Sequence, residues 1–179
     1  IVKGFRHILQ GAEEGFMLQP NFINGLKQIS KHHYTYDLLI YANQIQEAIE
    51  LIKSVEDLPI VLDHIAKPCI KTKSIQDWER DIKSLAKYPN LYCKISGMAT
   101  EADWTTWNPE DLKPYLDIVV EAFGVDRLLF GSDWPVCLVA SSYERWLNTI
   151  KEYFKEFSIS EQEKIFALNC ESFYTLEKA

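Results

Sequence analysis

Apolar runs bounded by polar, Gly or Pro residues recur along the chain at Val2–Leu9, Tyr34–Tyr41, Ile60–Ile65, Leu91–Ser96 and Leu128–Gly131. Each reads as a short β-strand. Between them the period changes from two to about 3.6 residues. Asn43–Val55 sets Ile45, Ala48, Ile49 and Ile52 on one face, and Ile75–Tyr88 does the same with Ile75, Trp78, Ile82, Leu85 and Ala86. Leu112–Phe123 and Ser142–Phe157 follow the same rule, and Ser160 with Glu163 reads as a capping box that opens a last helix through Tyr174. A strand and a helix recurring about every 30 residues is the signature of βαβ units with a parallel sheet.

The pattern therefore predicts one α/β domain over residues 1–179, with no linker or charge block to divide it. Five βα units suffice for a doubly wound sheet and are three short of the eight that close a barrel. Their number does not choose between the two.

Composition narrows the function. The chain has 179 residues, 47% of them hydrophobic and 25% charged, as in ordinary globular proteins. No apolar run approaches the roughly 18 residues of a membrane span. Nineteen Lys and Arg against 26 Asp and Glu give a net charge of −7. Such a field repels polyanions, so a small-molecule substrate is expected rather than nucleic acid or a membrane. Cys69, Cys93, Cys137 and Cys170 form no CxxC pair and no short disulfide framework, which points to a reducing, cytoplasmic setting. Association into a homo-oligomer stays open. The chain starts at Ile1 and runs straight into a strand, so it is expected to be a piece of a longer protein.

Chemistry in parallel α/β folds gathers at the carboxyl ends of strands. Four such ends are chemically loaded: Gly4-Phe-Arg-His7, Leu62-Asp-His64, Tyr92-Cys-Lys-Ile-Ser-Gly97 and Phe130-Gly-Ser-Asp-Trp-Pro135. His64 closes an apolar strand, where a neutral imidazole can ligate a metal, accept a proton or donate to a substrate oxygen. It can equally be a structural histidine. Asp63 projects to the other side of the pleat and so serves a different contact. Asp133 is either an Asx turn or N-cap before Pro, or a general base or metal ligand whose titration is set by an enclosing Trp134.

Arg6 and Lys94 are charges in buried strands; each either holds a substrate oxygen or neutralises a buried Asp. Lys94 and Ser96 share one strand face. His32 and His33 are expected on solvated surface. Gly-x-Gly-x-x-Gly, Walker and Gly-x-Ser-x-Gly patterns do not occur, nor does His-x-x-x-His.

Taken together, Gly4-Phe-Arg-His7, Tyr36-Asp-Leu-Leu-Ile40, Val61-Leu-Asp-His-Ile-Ala-Lys-Pro68, Tyr92-Cys-Lys-Ile-Ser-Gly97, Leu128-Leu-Phe-Gly-Ser-Asp-Trp-Pro135 and Asn169-Cys-Glu-Ser-Phe-Tyr174 resemble the amidohydrolase-related TIM-barrel family. Within it they resemble most the sugar-lactonase branch that contains L-fuconolactonase and L-rhamnonolactonase. The resemblance covers nearly the whole chain. It implies a distorted (β/α)₈ barrel of the metal-dependent hydrolase type, with its first strands missing from this chain. It also implies a water-activating Asp133 and a His64 that faces the same cavity.

The family opens with a His-x-His pair on its first strand, which this sequence does not contain. One divalent metal such as zinc, or none, is expected, held by His64 and Asp133 if it binds. So few ligands would hold zinc weakly. The reading is a hydrolase of a small sugar lactone, with Asp133 and His64 catalytic and Arg6, Lys94 and Trp134 binding substrate. Alternatives are a decarboxylase or amide hydrolase of the same superfamily, or an inactive truncated barrel with a binding role. Five strands cut from a barrel leave two open edges, so the segment alone is expected to associate or to be marginally folded, without lactonase activity.

Overall fold

The computed structural model describes residues 2–176. Its elements are β1 (Gly4–Ile8), α1 (Pro20–Lys31), β2 (Thr35–Leu39), α2 (Ile45–Lys53), β3 (Ile60–Leu62), α3 (Gln76–Leu85), β4 (Leu91–Ile95), α4 (Met98–Glu101), α5 (Pro109–Phe123), β5 (Leu128–Phe130), α6 (Tyr143–Tyr153), α7 (Ile159–Glu163) and α8 (Asn169–Phe173). The five strands are those expected from the pattern, β1 and β2 trimmed at both ends and β3, β4 and β5 at their carboxyl ends only. Helix α1, whose bounds the pattern did not set, carries Phe22, Ile23, Leu26 and Ile29 at helical spacing; Leu26 is buried and the other three pack partly buried against the core.

The strands form one parallel sheet in the order β1-β2-β3-β4-β5. Every strand lies beside its sequence neighbour, and the order never reverses. A doubly wound sheet must reverse at a switch point, so this topology is an arc of a (β/α)₈ barrel wall. One sheet face carries Tyr36, Leu38, Ile60, Leu62, Leu91, Cys93, Ile95 and Leu128, packed with the apolar stripes of α2, α3, α5 and α6 into the main core. On the opposite face Val61 and Leu129 pack with Phe173 of α8, beside Tyr92 and Tyr174. That inner face also carries Arg6, Asp37, Asp63 and Lys94, so burial there needs paired charges.

Two sequence expectations are corrected. Strand β3 ends at Leu62, not Ile65, because His64, Ile65, Ala66 and Lys67 all take left-handed backbone angles, with φ of 54°, 48°, 59° and 48°. Both Ile65 and Ala66 are fully buried, so their hydrophobicity alone looked like strand. The last capping box is Ser158 with Glu161, two residues ahead of Ser160 with Glu163: Ser158 accepts from the Glu161 N–H, and Glu161 reaches back to the Ser158 N–H. The helix it opens passes through a π-helical stretch, Lys164–Leu168, before α8.

Among the described residues no helix is long and apolar enough to cross a membrane. Cys69, Cys93, Cys137 and Cys170 are all free.

Candidate functional site

The carboxyl ends of β3, β4 and β5 bring His64, Ser96 and Asp133 together. Leaving β3, the chain turns left-handed at His64, a conformation that costs about 1–2 kcal/mol per L-residue and persists only where its surroundings hold it. Here Trp78 donates its indole N–H to the Ile65 carbonyl at 2.9 Å, and the Lys67 amide donates to the His64 carbonyl at 2.8 Å. The result aims the imidazole inward. His64 Nδ1 lies 2.7 Å from Ser96 Oγ, and Nε2 lies 3.5 Å from Asp133 Oδ1. Asp133 also has left-handed backbone, with φ 56°, and its Oδ2 is buried without a hydrogen-bond partner.

Electrostatics separate the pair. Burial pushes the His64 imidazole down to about 4; Asp63 opposes this, while Lys67, Lys94 and Arg6 add to it. Burial raises the Asp133 carboxyl above its ordinary value, with Asp63 and Glu101 adding and Lys67 and Arg6 opposing. The site thus offers a neutral imidazole beside a carboxylate that is more basic than usual. That is a workable combination of hydrogen-bonding group and proton acceptor.

Beneath the pair runs a chain of alternating charges. Lys94 Nζ lies 2.6 Å from Asp63 Oδ1 and 2.9 Å from Asp37 Oδ2, and Arg6 reaches Asp63 Oδ2 at 3.2 Å. Tyr174 donates its hydroxyl to Asp37 at 2.8 Å. Asp63, as expected, serves different contacts from His64. For Lys94 the geometry favours the neutralising role over the substrate-binding one, because its ammonium is already shared between two carboxylates. Burial works against that charge, and Asp63 and Asp37 overcome it and raise the group's basicity. Arg6 also has a carboxylate partner but keeps its side chain 51% exposed, with donors to spare.

Trp134, expected to enclose Asp133, is instead 64% exposed. The burial that shifts Asp133 comes from elsewhere.

Sequence reasoning did not single out Asp37, Tyr174, Lys67 or Glu101. Asp37 lies inside an apolar strand, which is itself a signal, but its partners Lys94 and Tyr174 are 57 and 137 residues away. Lys67 pairs with Glu101 at 2.8 Å, with both side chains largely buried, and acts electrostatically on both His64 and Asp133.

Two glycines leave room for these side chains. A Cβ on Gly97, whose φ is +63°, would stand 2.8 Å from Cγ and Nδ1 of His64. A Cβ on Gly131 would stand 3.0 Å from Ser96 Cβ and 3.1 Å from Lys94 Cγ. Gly97→Ala is therefore expected to push the ring off Ser96 and to cost about 1–2 kcal/mol from the left-handed backbone alone. Denaturant unfolding measures this; unchanged stability would mean that the contact is slack.

The His64 and Asp133 donors fit a divalent metal as two members of its ligand set. Their 3.5 Å separation is what two ligands about 2.1 Å from one ion would show, and Asp133 Oδ2 has no other partner. Among the described residues no group of three or more His, Cys, Asp or Glu completes such a site.

Comparison with known proteins follows the same lines. A family profile described as Amidohydrolase matches residues 2–176. The L-fucono-1,5-lactonase of Burkholderia multivorans is 34% identical over 163 residues, which cover 85% of this chain and 55% of that enzyme. The L-rhamnono-gamma-lactonase of Scheffersomyces stipitis is 26% identical over 200 residues, covering 98% of this chain and 60% of that enzyme. A crystal structure of an amidohydrolase from Burkholderia multivorans with bound zinc superposes with a TM-score of 0.95 at 30% identity, over 98% of this chain and 65% of that one. The chain thus spans little more than half the length of the curated lactonases it matches.

Proposed function

Because the chain belongs to the amidohydrolase family, we propose that the protein carrying it hydrolyses a small sugar lactone, with Asp133 and His64 as its reacting pair. The observation that carries this reading is the pairing itself. A neutral imidazole and a carboxylate of raised pKa face each other 3.5 Å apart at the carboxyl ends of β3 and β5, across the end of β4.

In the proposed reaction Asp133 accepts a proton from water as the oxygen attacks the lactone carbonyl, and His64 hydrogen-bonds the developing oxyanion. The ring C–O bond breaks, and the leaving alkoxide takes the proton back from Asp133. The product is an open hydroxy acid, whose carboxyl releases one proton at neutral pH. Arg6, with free donors at the mouth of the inner face, orients the ring oxygens. Lys94 supports this through the charge chain rather than by contact. In place of that hydrogen bond, a divalent metal held by an unprotonated Nε2 of His64 and by Asp133 would supply Lewis-acid polarisation of the carbonyl; the similar amidohydrolase solved with bound zinc supports this second mode. Cytoplasmic carbohydrate metabolism is the setting that four free cysteines and a lactone substrate suggest.

Base uptake in a pH-stat, run on L-fuconolactone, L-rhamnonolactone and an anilide of similar size, tests the reading. Turnover of an aldonolactone with none of the anilide is expected. Hydrolysis of the anilide alone would overturn the assignment to lactones.

A further inference from the structure

Ser96 follows β4 directly and is 1% exposed, and the only hydrogen-bond partner of its hydroxyl among the described residues is Nδ1 of His64, at 2.7 Å. The missing side chains of Gly97 and Gly131 let the imidazole and the serine meet at that distance. At pH 8 an imidazole is neutral and has one N–H for two nitrogens. One nitrogen faces Ser96 and the other faces Asp133. A carboxylate only accepts, whereas a hydroxyl both donates and accepts.

A proton on Nδ1 would leave the Nε2 lone pair facing the Asp133 carboxylate, 3.5 Å away, and would leave the serine hydrogen buried with no acceptor. A proton on Nε2 removes both conflicts: the serine donates to Nδ1, and an N–H rather than a lone pair faces the Asp133 carboxylate 3.5 Å away. Leaving a buried donor unmade costs about 1–3 kcal/mol, enough to decide between the tautomers.

We propose that Ser96 is a positioning residue for His64, donating its hydroxyl hydrogen to Nδ1 so that the imidazole carries its proton on Nε2 and meets the lactone carbonyl as a hydrogen-bond donor. Donation into Nδ1 also polarises Nε2–H and strengthens it as a donor where the oxyanion forms. The proposal rests on the lactonase reading for its consequence in catalysis, but the tautomer itself does not.

The test uses the protein expressed from its complete reading frame, labelled with ¹⁵N-histidine and treated with chelator at pH 8. Of the four histidines in this chain, His64 is assigned by the signals that vanish in His64→Asn. Its ring should show a protonated Nε2 and a hydrogen-bonded, unprotonated Nδ1. In Ser96→Ala the Nδ1 signal should move downfield, towards that of a free pyridine-type nitrogen. In the same variant kcat on the aldonolactone should fall about 10- to 100-fold, with KM within about threefold. A proton on Nδ1 in the unsubstituted protein overturns the proposal, as does a Ser96→Ala variant in which neither Nδ1 nor kcat moves. Failure of the unsubstituted protein to hydrolyse any lactone would instead defeat the functional reading, and the nitrogen spectra would still decide the role of Ser96.

Discussion

Asp133→Asn is expected to lower kcat/KM on the aldonolactone by about 10²- to 10⁴-fold, the range that a positioned general base supplies. Asparagine is nearly isosteric with aspartate and can still hydrogen-bond a water, but it cannot take the water's proton. The burial that makes Asp133 more basic than an ordinary carboxylate sharpens the effect. It also sets the pH dependence. The working form is the deprotonated one and its pKa is raised, so activity falls on acidification at a pH above the usual carboxylate range. The Asp133→Asn residual rate should lack that acid limb. Full activity in the variant, or an unchanged acid limb, would remove Asp133 from the mechanism.

The second large effect is on stability. Lys94→Met is expected to cost about 3 kcal/mol, near the lower end for breaking a buried ion pair, because Asp37 keeps some solvent and the Tyr174 hydroxyl. The cost arises at Asp63, whose side chain is 1% exposed and which would keep only the 3.2 Å contact from Arg6. Adding Asp63→Asn removes the stranded charge, so the double variant should recover part of the loss. Urea unfolding of the three proteins checks this. A substrate-binding lysine would behave differently: Lys94→Met would leave the unfolding curve unchanged and raise KM.

The strand-and-helix alternation was legible because both periods are local properties of the chain. Barrel or open sheet was not legible from the count, since strand order is a tertiary fact: only the pairing of each strand with its sequence neighbours shows the arc. Local pattern also failed where two local answers were equally good. Ser158 with Glu161 and Ser160 with Glu163 have the same spacing, and only the observed hydrogen bonds separate them. At the end of β3, Ile65 and Ala66 are as apolar as any strand residue, yet their backbone is left-handed because the Trp78 indole and the buried His64 hold the turn.

For the site, His64 and Asp133 were legible as polar residues closing apolar runs. Trp134 was misread, because a neighbour in sequence need not be a neighbour in burial. Asp37 and Tyr174 went unread since their meaning lies in partners from distant segments.

The central claim is that His64 and Asp133 act as one unit on a lactone. A double-mutant cycle in the pH-stat assay tests it most directly, with His64→Asn, Asp133→Asn and both together measured as kcat/KM on the same aldonolactone. Groups that act as a unit show strongly non-additive losses, so the account predicts a double variant no slower than the slower single one, within about threefold. Losses that multiply, with the double variant slower by the product of the two single effects, would contradict it.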